Sequence, residues 1–317
     1  MAANRHDKFL GCILGHAVGD ALGAPFEGLS SDLIYASFGR ASEIITHPPK
    51  DLKTLYYSDD TQMSIGLLEH LLEHDDVDGD ALMQQFTRNY DPKRGYGQGA
   101  MKLLESVKFG EDWRRLTRSM FGGGSYGNGA AMRVAPVGLL FCDDPDRVWE
   151  QAGISAMTTH THPLGVEGAQ LFALAVALLT CGDAFDHDGF YDALLRRATQ
   201  EEYQWLLRTA ARLTEQDSPG LLGNGLEAHR SVITAIACFT MAPSSYEQAL
   251  TRALALGNDT DTIMGMAGAL SGAHLGLAAV PQNLLGMIEE GPRGLSYIQA
   301  LAERLYQKQA GMQAKDR

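Results

Sequence analysis

The chain has 317 residues, 45% hydrophobic and 21% charged, and its 39 acidic residues against 26 Lys plus Arg give a formal net charge of −13. That composition supports a large buried core, as one large domain or two smaller ones. The acidic balance argues against nonspecific nucleic-acid binding and against an anionic membrane surface, so an anionic substrate would need local neutralisation by a metal or by helix N-termini.

Near the start, Phe9, Ile13, Leu14, Val18 and Leu22 recur at helical steps. His16 and Asp20 interrupt the apolar run and no cleavage-site pattern follows, so this is a helix rather than a secretion signal. Asp20 lies within an otherwise apolar helix and needs a buried hydrogen-bond partner. Pro25 and the surrounding glycines end the helix just before Glu27, and a lone Glu in a loop is ordinarily solvated.

Next comes Tyr57-Ser58-Asp59-Asp60-Thr61-Gln62, ahead of Met63, Leu67, Leu68, Leu71 and Leu72, which predict a helix over 60–76. Ser58 suits its N-cap. Two glycine-rich loops follow, Gly95 to Ala100 and Gly122 to Gly129. The second contains Gly122-x-Gly124-x-x-Gly127, but Trp113-Arg114-Arg115-Leu116-Thr117-Arg118 before it is no buried strand, so the dinucleotide fingerprint is rejected. No Gly-Lys-Ser/Thr follows to make a P-loop. Two readings are left for it, a tight turn and a backbone cradle for phosphate oxygens. His160 and His162 are spaced like a ligand pair but lack a third nitrogen or sulfur ligand, so contact with a substrate is the better functional role.

Helical periodicity continues over 165–181, 188–198, 202–214, 228–241, 246–256, 262–277 and 295–309, with residues 215–225 as an exposed loop and a polar tail that frays after Gln307. No segment alternates like a strand. The expected fold is all-α, a single-domain helical bundle of roughly ten or more helices. Glycines among 265–273 predict close helix–helix approach. Cys12, Cys142, Cys181 and Cys238 form no C-x-x-C and read as buried thiols of a reducing compartment. The longest apolar run, Ala169 to Cys181, is too short to span a bilayer. A cytoplasmic monomer is expected.

The second acidic cluster, Gly257-Asn258-Asp259-Thr260-Asp261-Thr262, again precedes a helix. Asp259 or Asp261 could be an N-cap, yet both clusters hold more acids than capping needs. Hard oxygens without Cys or His suit Mg²⁺, Ca²⁺ or Mn²⁺ rather than zinc. If the fold joins the clusters, they suffice for a two-metal centre acting on an oxygen-rich substrate.

Five motifs in order then carry a resemblance: G-x-x-x-G-D-A-L-G-A-P-x-E at 15–27, Y-S-D-D-T-Q-M at 57–63, G-S-Y-G-N-G-A-A-M-R-V-A-P at 124–136, T-H-T-H-P at 159–163 and G-N-D-T-D-T at 257–262. With them the chain resembles the ADP-ribosylhydrolase family from about Phe9 to Leu277. The resemblance implies one all-α domain over 1–317, with its core in 9–277, and a binuclear Mg²⁺ site, Mn²⁺ in some members. It implies Ser58, Asp59, Asp60, Asp259, Asp261 and Thr262 as metal ligands. Glu27 would be the acid near the scissile bond, with Asp59 or Asp60 as the base that orients water. Gly124, Ser125, Tyr126 and Asn128 would cradle diphosphate and ribose, His160 would contact substrate, and Phe121 would stack on adenine. The implied activity removes ADP-ribose from arginine or serine side chains of a modified protein, or from a small ADP-ribose compound. The stretch Gly124 to Arg133 leans towards the serine-directed branch. The alternatives are a non-catalytic ADP-ribose binder, a protective partner docked on an ADP-ribosyltransferase, and a Mg²⁺-dependent phosphohydrolase.

Overall fold

A computed structural model describes residues 3–315. In chain order its helices are α1 (Arg5–Gly23), α2 (Ser31–Phe38), α3 (Ala41–Thr46), α4 (Asp59–Glu73), α5 (Gly79–Asn89) and α6 (Gln98–Lys108). Then come α7 (Trp113–Ser119), α8 (Ala135–Leu140), α9 (Pro145–Met157), α10 (Pro163–Cys181), α11 (His187–Arg197) and α12 (Glu201–Ala210). The last five are α13 (Ala228–Thr240), α14 (Tyr246–Leu254), α15 (Thr260–Leu275), α16 (Gln282–Leu285) and α17 (Leu295–Lys315). Among the described residues there are no strands, only three isolated bridges. The all-α, single-domain expectation holds.

The architecture is organised by two helices that touch through their backbones. Gly11, Gly15, Gly19 and Gly23 line one face of α1; Gly265, Gly268 and Gly272 line the facing side of α15. A Cβ added at Gly272 would lie 1.9 Å from the Gly11 carbonyl oxygen, and one at Gly19 would lie 2.2 Å from that of Met264. Gly11 meets the C-terminal end of α15 and Gly23 its N-terminal end, so the helices run antiparallel. Tyr246 of α14 donates to the Gly15 carbonyl at 2.6 Å, and Thr260 donates to that of Gly23 at 2.9 Å. The contact therefore registers the two ends that carry Asp20 and Asp261.

Around this pair, α4, α8, α10, α13, α14 and α17 complete one continuous apolar core. By length and hydropathy α1 and α10 could each cross a membrane, but most of each is buried inside the protein. Two expectations are corrected. The tail past Gln307 continues as α17, held because Gln309 is buried and donates to Asp143 at 2.6 Å. The 215–225 loop is only partly exposed: Leu222 is buried, and the Asn224 amide donates to the Leu256 and Gly257 carbonyls.

Replacing Gly272 with Ala should lower unfolding free energy by about 3 kcal/mol or more, because the clash is with backbone that cannot rotate away. Replacing exposed Gly97, where an added Cβ meets nothing, should cost well under about 1 kcal/mol. Urea unfolding of both variants checks this; equal losses would remove the backbone contact as the organising constraint.

Candidate active site

The acidic site starts from Asp20. Its carboxylate, wholly buried, accepts from the Ser58 amide at 3.0 Å, the Thr61 amide at 3.0 Å and the Thr61 hydroxyl at 2.5 Å. Asp20 thus supplies, from a distant helix, the acceptors that the N-terminus of α4 lacks. The Ser58 hydroxyl also accepts from the Asp60 amide at 3.2 Å, so Ser58 is the N-cap that its sequence suggests. Asp59 and Asp60 occupy the first helical turn beside it.

The second cluster is set by a turn. Gly257 and Asn258 have φ of 69° and 63°, the left-handed region that Gly and Asn tolerate best. A Cβ at Gly257 would lie 2.5 Å from the Leu29 carbonyl oxygen. Asn258 donates its amide to that carbonyl at 2.7 Å and accepts from the Gly28 amide at 2.8 Å. This pairing brings Glu27 to the acids of α15: carboxylate oxygens of Glu27, Asp259 and Asp261 lie within 4.8 Å of one another. Asp259 stands at the N-cap position but caps nothing; its carboxylate accepts from the Asn128 amide at 2.5 Å. Asp261 is inside the first turn rather than at the cap.

The two clusters meet at one end of a cleft of about 430 Å³. Glu27, Asp59, Asp60, Asp259, Asp261 and Thr262 line that end; Leu103, Met120, Phe121, Met132 and Leu226 form an apolar wall. Phe121 is 71% exposed and has φ of 53°, an unusual conformation for a bulky residue and the kind held at ligand sites. Ser125, Asn128 and His160 also line the cleft. Three expected residues do not. Gly124 packs instead against the Thr161–His162 backbone, where a side chain would clash. The Tyr126 ring rests edge-on against His162, 5.4 Å between centroids. Ser58 lines a neighbouring pocket that shares Glu27 and Gly95 with the cleft and adds Tyr56, Lys93 and Arg94.

Electrostatics marks the acidic end as unusual. Glu27 sits at the rim, but partial burial and then the Asp261 charge push its carboxyl up to about 7. Asp261 is pushed up to about 6 by burial and then by Asp20. Burial, and then Asp261, hold Asp59, Asp60 and Asp259 well above the ordinary carboxylate range. One buried oxygen of Asp60, Oδ2, has no hydrogen-bond partner. Converging carboxylates with an orphaned oxygen and no competing lysine fit a hard divalent cation. His160, whose Nδ1 meets the Thr159 hydroxyl at 2.7 Å, is lowered to about 3 by burial and then by Arg133, so it meets a ligand as a neutral ring.

Sequence reasoning left two positioning residues unassigned. Asp20 was visible as a lone carboxyl in an apolar helix, but nothing in the sequence pointed to α4 as its partner. Arg133 is fully buried; it donates to the Gly129 and Ser155 carbonyls at 2.9 Å each, tying the glycine loop to α9. Its place within the 124–136 motif was the available signal.

An all-helical domain with carboxylates gathered at one end of an apolar cleft is the class of protein that fold and site define. The chain belongs to the ADP-ribosylglycohydrolase family, whose profile matches residues 1–315. It is similar to ADP-ribosylhydrolase ARH3 of Mus musculus, 32% identical over 96% of this chain and 92% of that protein. ADP-ribosylhydrolase ARH3 of Homo sapiens is 33% identical, covering 89% of each chain. A solved structure described as an ADP-ribosylglycohydrolase-related protein complex superposes with a TM-score of 0.76 at 26% identity, covering 96% of this chain and 99% of that one. The protein is accordingly a hydrolase of ADP-ribose glycosidic bonds.

Two outcomes are expected. Folded-state values of about 7 for Glu27 and about 6 for Asp261 stand above their ordinary 4.5 and 3.8. Their favourable contribution is therefore complete below about pH 4 and lost as pH rises through about 6 to 7 in metal-free protein. The stabilisation on adding Mg²⁺, followed as a rise in melting temperature, should therefore grow from about pH 5 to about pH 8, and amounts to about 2.7 kcal/mol where Mg²⁺ stands a hundredfold above Kd. Burial lowers His16 to about 4 and His160 to about 3, and both are common to the two arms. A Mg²⁺ shift that is absent or pH-independent would show that the acids do not bind the ion. Separately, Asp20→Ala should cost about 2 kcal/mol or more, by leaving the Ser58 and Thr61 amides unsatisfied. Denaturant unfolding reads this directly, and a neutral result would rule out Asp20 as the anchor of α4.

Proposed function

We propose that the protein is a Mg²⁺-dependent hydrolase that removes ADP-ribose from modified protein side chains, serine O-linked or arginine N-linked, by water attack at the anomeric carbon of the distal ribose. One observation carries this reading: six oxygen-bearing residues, Glu27, Asp59, Asp60, Asp259, Asp261 and Thr262, close one end of a cleft whose other wall is apolar and carries Phe121. A ligand that suits it is polar and polyhydroxylated at one end and flat and aromatic at the other, as ADP-ribose is. The names of the similar ADP-ribosylhydrolases support the same substrate.

Ser58, Asp59, Asp60, Asp259, Asp261 and Thr262 would hold two Mg²⁺ ions, with Mn²⁺ as a substitute. When bound, such ions polarise hydroxyls and lower the pKa of water. The protein's own groups do the rest. Asp59 or Asp60 orients the attacking water and takes its proton. The surrounding carboxylates stabilise positive charge developing at the anomeric carbon. Glu27 borders both the cleft and the neighbouring pocket, so it faces the departing side chain and can position or protonate it. Asn128 holds Asp259 in place, a role closer to aligning the acid than to cradling ribose. Phe121 stacks on adenine, and the glycine-loop backbone at Ser125 meets the diphosphate. Between the two linkages, the Gly124 to Arg133 stretch favours serine.

The test is release of free ADP-ribose from serine-modified and arginine-modified protein, with Mg²⁺, with EDTA and with Asp261→Asn. Metal-dependent release from the serine substrate, lowered at least about 100-fold in Asp261→Asn, is the expected result. Retained ADP-ribose binding without release from either substrate would replace this reading with that of a non-catalytic binder or a docking partner.

A further inference from the structure

Outside the cleft, one cluster of reactive side chains has no part in the hydrolysis. Cys142 lies in the turn after α8, and Cys181 is the last residue of α10. Their sulfurs and a carboxylate oxygen of Asp143 lie within 4.8 Å of one another. Neither sulfur lines the cleft. Cys142 is buried and Cys181 is half-exposed, in contrast to Cys12 and Cys238, which are sealed in the core. The expectation of four buried thiols is thus corrected at Cys181.

The cluster could hold a metal or a disulfide, and the hydrogen bonds favour the disulfide. Asp143 already accepts two bonds of 3.0 Å from the Arg5 guanidinium, one of 2.6 Å from Gln309 and one of 2.5 Å from Gln313. A metal would have to displace that network. The sulfurs are less engaged. Cys181 Sγ accepts from Arg5 Nη2 at 3.4 Å and can give its proton towards Asp143 Oδ1 at 3.5 Å. Lys8, whose Nζ donates to the Leu179 and Gly182 carbonyls, adds a second positive charge beside it. The hydrogen bond from Cys142 and then the Arg5 charge hold the Cys181 thiol below its ordinary range, whereas that same bond and burial push Cys142 up. One thiol is therefore half-buried and activated, and its neighbour is buried and protonated.

We propose that Cys142 and Cys181 form a reversible thiol–disulfide site whose oxidant is a low-molecular-weight disulfide of the glutathione class, with Cys181 attacking and Cys142 resolving. The Cys181 thiolate attacks one sulfur of glutathione disulfide, forming a mixed disulfide and expelling one glutathione thiolate. Cys142 then attacks the Cys181 sulfur, expelling the second. The two thiol protons end on the two glutathiones, so two protein thiols are oxidised and one glutathione disulfide is reduced, with no further oxidant. Bond formation brings the sulfurs, which lie within 4.8 Å of each other, to about 2.05 Å. The link ties the turn after α8 to the end of α10 and restrains the unfolded chain.

The test equilibrates the full chain in glutathione buffers of rising oxidised fraction, traps free thiols by alkylation and maps peptides by mass spectrometry. A Cys142–Cys181 cross-linked peptide is expected, together with a higher melting temperature, while Cys12 and Cys238 become alkylated only after denaturation. Cys142→Ser should stop at glutathione held on Cys181, with ADP-ribose release unchanged. Recovery of both thiols free, or glutathione lodged on wild-type Cys181 without a cross-link, would overturn the proposal. The wild-type cross-link decides the matter even if the variant fails to fold.

Discussion

Everything in the site depends on two helices approaching closely enough for their backbones to touch. Glycine within a helix costs about 1 kcal/mol relative to alanine, and the facing surfaces of α1 and α15 carry seven. What offsets that cost is dense dispersion contact where the two backbones touch, at Gly11 with Gly272, Gly15 with Gly268 and Gly19 with Met264. The consequence for function is geometric. Antiparallel contact fixes the C-terminal end of α1 against the N-terminal end of α15, so Asp20 and Asp261 become neighbours without any loop having to hold them. Asp20 then fastens the start of α4, and with it Asp59 and Asp60. A packing constraint at the centre of the core is thereby converted into the placement of carboxylates at its edge.

Gathering those carboxylates works against stability. Burial and mutual repulsion raise every one of them, and Asp60 Oδ2 finds no donor. The aligned peptide dipoles at the starts of α4 and α15 give partial compensation, since both N-termini lie among the acids. A fold that concentrates uncompensated charge where its backbone is most tightly held is using rigidity to maintain an arrangement that would otherwise relax. The rim differs: Glu27 and Phe121 are exposed, and Phe121 carries a left-handed backbone.

The sequence made the helices legible wherever apolar residues repeat over several turns, as in α1, α4, α10, α13 and α15. It did so less well for α2, α3, α7 and α16, which are short and take their stability from neighbours. Acids of the two clusters were legible because they exceed what capping requires, and Ser58 is the N-cap that the same motif spells. Invisible in one dimension was which residue would complete each partial arrangement. Asp20 needed a partner, but the partner was fixed by the α1–α15 register. Gly124 looked like part of a cradle, yet its missing side chain makes room for the backbone at Thr161 and His162. Helical spacing likewise could not show that Cys142 and Cys181 share one corner.

The acidic chain also constrains how an anion could be held in the cleft. Among the residues that line it, Arg133 is the one Arg or Lys. Its guanidinium is fully buried over the Phe86 ring, already donates to two backbone carbonyls, and is lowered to about 9 by burial. It therefore serves to shape the glycine loop and to counter the Asp59 charge, with little left to offer a phosphate. On the proposed reading, a diphosphate must be neutralised by backbone amides of that loop and by the cations held at the acidic end. Gly129 serves this arrangement, since a side chain there would press on the His160 ring. Binding should then depend on metal as much as catalysis does, because removing the ions leaves a doubly charged ligand facing a ring of carboxylates.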